Sequence, residues 1–206
     1  MRLRRLSHEA EYFTHLTGLS SSLRQSSLIL AELSGIPVEE RREAAGRLAA
    51  VSDEADAAES AVLRALRENY ATPIDRDALY RLTNALCQTT HRLESVGFAL
   101  SSSAFEQLPV GVLEMLAVLS NATDQTHSML KRLPGKPDQW QYVESMSRLF
   151  YRAEALHLQV SDAVPAARRG LAYLAAATLL GQTFYEAARS FTSIGTVVAE
   201  VAVRES

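Results

Sequence analysis

The chain has one cysteine, Cys87, among 206 residues. No disulfide can therefore form within it, and it is not a disulfide-stapled scaffold. Proline and glycine are sparse, at 6 and 9 residues, and runs of β-branched residues are scarce. Long strands and collagen-like or low-complexity segments are excluded on that basis. There is no excess of positive charge: the net charge is −3 and the isoelectric point is near 6.0. A global basic field for nucleic acid is absent, so no nucleic-acid partner is expected. No long hydrophobic run occurs. The most apolar stretch, Leu171 to Leu180, is too short to span a bilayer and is followed by Gln182, Glu186 and Arg189. No apolar core of signal-peptide length follows Met1, and the expected location is cytoplasmic. Arg2, Arg4 and Arg5 precede Glu9 and Glu11, which reads as a solvated helix start more readily than as a lipid anchor.

Alanine, leucine, glutamate and arginine fill the space these absences leave. Together with 47% hydrophobic and 22% charged residues, they predict a globular, all-α protein. Apolar residues recur in alternating steps of three and four. The first segment gives Leu16, Leu19, Leu23, Ser26, Leu30 and Leu33. The second gives Leu48, Val51, Ala55, Ala58, Val62 and Ala65. The third runs from Leu79 through Leu82, Leu86, Thr89, Leu93 and Val96 to Leu100. Val112 to Leu133, Val143 to Val164 and, more loosely, Tyr173 to Val198 continue the pattern, predicting six long helices. A helix of about 28 residues is about 42 Å long. Tight connections between such rods predict antiparallel neighbours.

The breaks are Gly35-Ile36-Pro37, Thr72-Pro73, Ser101 to Pro109, Pro134-Gly135-Lys136-Pro137, and a weaker one from Pro165 to Gly170. Pro73 disfavours helical backbone at Thr72. Asp75 is placed to cap the helix that follows, with Asp77 in its first turn. Gly35-x-Pro37 recurs 100 residues on as Gly135-x-Pro137. Ser52 to Val62 aligns with Phe150 to Val160 at an offset of 98. An internal repeat follows, residues 1–103 and 104–206, three helices each.

Candidate chemistry centres on the second and third helices. Asp53, Glu54, Asp56 and Glu59 form an acidic run, and Asp56 adjoins the seam residue Ala55. Such a run is usually a solvated face; Asp56 is expected at the edge of the core. Cys87 and His91, spaced i, i+4, share a helix face one turn apart. That pair can chelate zinc or a similar metal, or be a buried thiol beside a half-buried ring. The thiol has no activator near it in sequence and is not read as a nucleophile. His157 falls on the fifth seam, where a core-edge histidine is the ordinary outcome. His8, His15 and His127 are scattered. Trp140 is expected at a bundle end. Phosphate loops, nucleophile elbows, His-Glu-x-x-His and Cys-x-x-Cys patterns are missing, so no ordinary hydrolase or NTPase activity is expected.

The turn Tyr70-Ala-Thr-Pro-Ile-Asp-Arg-Asp-Ala-Leu-Tyr80, together with Tyr12-Phe13-x-x-Leu16 ahead of a long helix, resembles the PhoU-like family. The branch is that of regulators encoded beside Pit-type phosphate transporters. The resemblance is specific over Tyr12 to Leu86 and architectural elsewhere. It implies two tandem three-helix bundles with pseudo-twofold symmetry. It also implies a non-enzymatic regulator or accessory protein of inorganic phosphate transport, docking on a Pit-type transporter or a signalling protein and reaching the membrane only through that partner. A homodimer through Val197, Val198, Val201 and Val203 is one reading; completion of the bundle by the same valines is the other. Family members hold metals with acidic i, i+4 pairs on two helices of each bundle. Here those positions are Ser52/Asp56 and Cys87/His91 in the first half, and Phe150/Glu154 and Gly181/Tyr185 in the second. The surviving first-half set, Asp56, Cys87 and His91, therefore reads either as packed polar remnants or as a mononuclear, mixed-ligand site with zinc, nickel or iron as candidate metal. A metal sensor and a spectrin-like interaction module are the alternative functions.

Overall fold

The computed structural model describes residues 2–69, 71–135 and 139–204, with side chains from residue 11 onward. Six α-helices follow in order: α1 (Arg2–Gly35), α2 (Val38–Glu68), α3 (Arg76–Leu100), α4 (Val112–Arg132), α5 (Trp140–Ala166) and α6 (Gly170–Arg204). A 3₁₀ turn, Leu133–Gly135, closes α4. No strand occurs among the described residues. The side chains of Arg2, Arg4 and Arg5, together with Tyr70, Lys136, Pro137 and Asp138, lie outside the described residues.

The seams set by the sequence are the buried faces. Leu16, Leu19, Leu23, Leu30 and Leu33 of α1 are each at most 1% exposed, as are Leu79, Leu82, Leu86, Leu93, Val96 and Leu100 of α3. Side chains at i, i+3, i+4 and i+7 form one stripe along a helix, and burying that stripe supplies most of a helix's stability. α5 departs in part. Val143, Phe150 and His157 are only partly buried, because their stripe lies at a solvent edge. The valines of α6 resolve otherwise: Val197, Val198 and Val201 are buried in the core, and Val203 is exposed. The first three complete the interior and are not an open contact face. Trp140 starts α5 and is half exposed.

The segment between α2 and α3 is held by side chains as well as by Pro73. α2 stops at Glu68, four residues before Thr72, and Asn69 is already extended at φ −118° and ψ 126°. Arg76 reaches back to donate to the Asn69 carbonyl at 3.0 Å, and it also bonds Leu66 O. Those are carbonyls that a helix end leaves without partners. Asp75 caps α3, its carboxylate accepting from Ala78 N at 3.0 Å.

α1 packs on α2, α3 and α4; α3 also packs on α2 and α6; α5 packs on α4 and α6, and α4 touches α6. Polar pairs fasten the α1/α4 and α3/α6 contacts. Ser20 Oγ lies 2.7 Å from His127 Nδ1, and Arg24 pairs with Asp124 at 3.1 Å. Across α3 and α6, Arg92 pairs with Glu186 and Arg81 with Glu200.

Candidate metal centre

α2 and α3 are antiparallel, as successive polar contacts show. Ser52 meets Glu94, Asp56 meets Cys87 and His91, and Glu59 meets Asn84. Each step up α2 is a step down α3. Close approach is possible because Gly97 has no side chain. A Cβ there would stand 2.1 Å from Leu48 Cδ1, whose residue is fully buried. This register brings the three expected donors to one place.

Ala55 is fully buried, so its neighbour Asp56 leaves the core at the α2/α3 edge. One carboxylate oxygen, Asp56 Oδ1, takes both contacts. The Cys87 thiol donates to it at 3.1 Å, and His91 Nε2 lies 2.8 Å away. The three candidate donor atoms all lie within 4.8 Å of one another. Cys87 is buried, whereas the side chains of His91 and Asp56 are 37% and 52% exposed. The thiol thus forms the floor of the site and the other two form its rim.

The electrostatics follow from that arrangement. The Cys87 hydrogen bond, then the His91 one, holds the Asp56 carboxyl below the usual carboxylate range. Burial, followed by the bond to Asp56 and the nearby charge of Glu59, pushes the Cys87 thiol up. Without a cation the sulfur keeps its proton and hands it to Asp56 as a hydrogen bond. A protonated, buried thiol is a poor nucleophile.

The donor set suits a borderline metal. Bonds of about 2.0–2.3 Å to nitrogen, oxygen and sulfur give tetrahedral edges of about 3.3–3.8 Å. The observed 2.8 and 3.1 Å separations need to open by only about half an ångström to reach those edges. One thiolate, one imidazole and one carboxylate favour zinc, nickel or iron(II) over magnesium or calcium. Were these three residues to hold a tetrahedral metal, a fourth position would be open to water.

Glu94, which the sequence pattern did not single out, joins the site together with Ser52. Glu94 Oε2 lies 3.6 Å from His91 Nδ1 and accepts a 2.6 Å hydrogen bond from buried Ser52 Oγ. Ser52 stands where the family resemblance expects a carboxylate, and the facing helix brings one to it. The signal was the i, i+3 spacing of His91 and Glu94, which puts both on one face.

The matching positions of the second half are differently filled. The Phe150 and Tyr185 rings lie 5.8 Å apart, and His157 packs 5.4 Å from Tyr185. Gly181 backs the imidazole, where a Cβ would come within 3.3 Å of Nδ1. His157 packs between the Tyr185 ring and Gly181, with its Nδ1 buried and without a hydrogen-bond partner. No helix among the described residues is long and apolar enough to cross a membrane. No protein-family model and no curated protein matches the chain.

Proposed function

We propose that the chain is a non-enzymatic helical regulator or accessory protein of inorganic phosphate transport, with a PhoU-like arrangement of two three-helix units. The observation that carries this reading is the Tyr70–Tyr80 segment. Its Thr-Pro-Ile-Asp-Arg turn joins two long helices, with Asp75 as cap and Arg76 sealing the end of α2. The helix pairings agree with such an arrangement: α1, α2 and α3 touch mutually, and so do α4, α5 and α6, with α1/α4 and α3/α6 joining the sets. Action is by docking on a Pit-type transporter or a signalling partner. The sequence carries none of the phosphate-loop, nucleophile-elbow, His-Glu-x-x-His or Cys-x-x-Cys patterns, which motivates that choice. The test is co-purification with a phosphate transporter, together with phosphate uptake after deletion. Uptake unchanged on deletion, with no transporter recovered, overturns the reading.

A second reading is favoured by a separate observation, the convergence of Cys87 Sγ and His91 Nε2 on Asp56 Oδ1. On this reading the same helices carry a single divalent metal, and the regulator is also a metal sensor. Cys87 would supply thiolate, His91 imidazole and Asp56 carboxylate; the bound cation would replace the thiol proton. Elemental analysis of purified protein is expected to give one zinc, nickel or iron per chain, lost in Cys87→Ala and His91→Ala. Metal content far below stoichiometric, or unchanged in both variants, overturns it.

A further inference from the structure

Glu94 is not a donor in the group formed by Asp56, Cys87 and His91, yet its position is specific. The two ring nitrogens of His91 face different carboxylates. Nε2 is 2.8 Å from Asp56 Oδ1, while Nδ1 is 3.6 Å from Glu94 Oε2. Glu94 therefore lies along the ring edge that faces away from the donor set. Its carboxylate is fixed by Ser52, which is only 3% exposed and donates to the same Oε2 at 2.6 Å. α2 thus positions an α3 carboxylate against an α3 ring.

An ionised carboxylate can only accept a hydrogen bond, so in the metal-free protein the proton facing Asp56 sits on Nε2. A metal takes Nε2 only after the ring changes tautomer: the Nε2 proton leaves to solvent and Nδ1 takes one up from solvent. The neutral ring then holds its single proton on Nδ1, which needs an acceptor. Histidine ligands generally find one in a carboxylate or carbonyl, which fixes ring orientation and raises ligand basicity.

Resting on the metal-sensor reading above, we propose that Glu94 is the positioning residue of His91. It accepts the Nδ1 proton when Nε2 is given to a borderline divalent metal, and Ser52 holds it in place. His91 thereby moves between two hydrogen-bonding states: bound through Nε2 to Asp56 without metal, and through Nδ1 to Glu94 with it. The closing of 3.6 Å to hydrogen-bond distance needs only a small rotation of a half-exposed ring.

The test uses the full chain, zinc, and cobalt as a spectroscopic stand-in. In ¹⁵N spectra of the zinc-loaded protein, His91 is expected to show a metal-bound Nε2 and a slowly exchanging Nδ1–H. Glu94→Ala should lower zinc affinity 10- to 100-fold, the usual effect of losing such a partner, and make the Nδ1 proton exchange rapidly. Glu94→Gln, whose amide oxygen still accepts, should restore most of the affinity and the slow exchange; Ser52→Ala should fall between. Glu59→Gln removes a nearby negative charge that does not face the ring, and should lower affinity less than Glu94→Ala. Zinc bound by the wild type and lost in Cys87→Ala, with Glu94→Ala equal to wild type in affinity and exchange, overturns the role of Glu94 alone. Equal losses in Glu94→Ala, Glu94→Gln and Glu59→Gln also overturn it, because charge rather than the acceptor then matters. A wild type that takes up neither zinc nor cobalt overturns the metal reading and this role with it.

Discussion

His127 shows how one residue acquires a role that its sequence context withholds. It lies among scattered histidines, yet it is buried on α4 with Nδ1 2.7 Å from Ser20 Oγ of α1. Burial, then the positive charges of Lys131 and Arg24, pushes its pKa down, with Asp124 opposing. A histidine whose folded pKa lies below its unfolded value, near 6.5, binds protons more readily when unfolded. Stability should therefore be intact above about pH 6.5 and fall as pH drops from there towards the folded pKa. Urea unfolding at pH 7.5 and 5.5 is expected to show that loss, and His127→Gln should flatten it. An unchanged pH dependence in the variant would assign the loss to other groups.

Arg41 is a second such residue. Only 5% exposed, it donates to Ile36 O at 3.2 Å and to Phe105 O at 2.9 Å, tying the first turn to the loop between α3 and α4. Hydrogen bonds from a charged group contribute about 1.5–3 kcal/mol each. Arg41→Met keeps the apolar stem and strands both carbonyls, so a loss of about 3 kcal/mol is expected in chemical denaturation. Neither role was legible in the sequence, because an arginine or histidine at a given helix position looks the same whether it meets solvent or another helix.

Among the elements, α2 and α3 were the most legible. Their seams, the Thr72-Pro73 break and the Asp75 cap follow from local rules that depend on residues a few positions apart. Asp75→Ala is expected to lower the melting temperature by loss of the cap. The close approach of the two helices was not legible. Gly97 within a helix reads as a weak point, since glycine costs about 1 kcal/mol relative to alanine there. Packing reverses that sign: a Cβ would stand 2.1 Å from Leu48 Cδ1 and 3.4 Å from Leu30 Cδ2, both in buried side chains. Overpacking costs about 1–3 kcal/mol, so Gly97→Ala should be destabilising by about 1 kcal/mol net of the helix gain. A stabilised Gly97→Ala protein would show that Leu48 moves freely. α5 was less legible because its stripe is only half covered, and periodicity does not report how wide a partner's surface is.

Across the whole molecule, the sequence reads as one domain, 1–206, with an internal repeat, and the packing interlocks helices from both parts of the chain. α1 lies on α4, and α3 on α6, through one continuous buried cluster. Burial of apolar area is the main favourable term in folding, at about 25 cal/mol per Å². Either half alone would expose the stripe that the other covers. A single calorimetric transition is therefore expected for the full chain, and residues 1–103 alone should be largely unfolded. Two resolved transitions would contradict the interlock. The ion pairs between α6 and α3 or its cap, Arg92–Glu186, Arg81–Glu200 and Arg204–Asp75, join partly exposed partners and contribute little by comparison. High salt should leave the melting temperature nearly unchanged.

The sequence by itself determined the elements. Helical period, proline and glycine breaks and a capping aspartate act over one or two turns, so six helices, and the buried faces of all but part of α5, could be read directly. It also placed Cys87 and His91 on one face, since i, i+4 is a property of a single helix. Only the tertiary structure decided which faces meet. Periodicity states that a stripe is buried but not what covers it. The register of α2 on α3 therefore had to bring Asp56 to Cys87 and His91, and Ser52 to Glu94, across separations of 31, 35 and 42 residues. The packing of α6 on α3, α4 and α5 likewise turned Val197, Val198 and Val201 inward and brought the Tyr185 ring to Phe150.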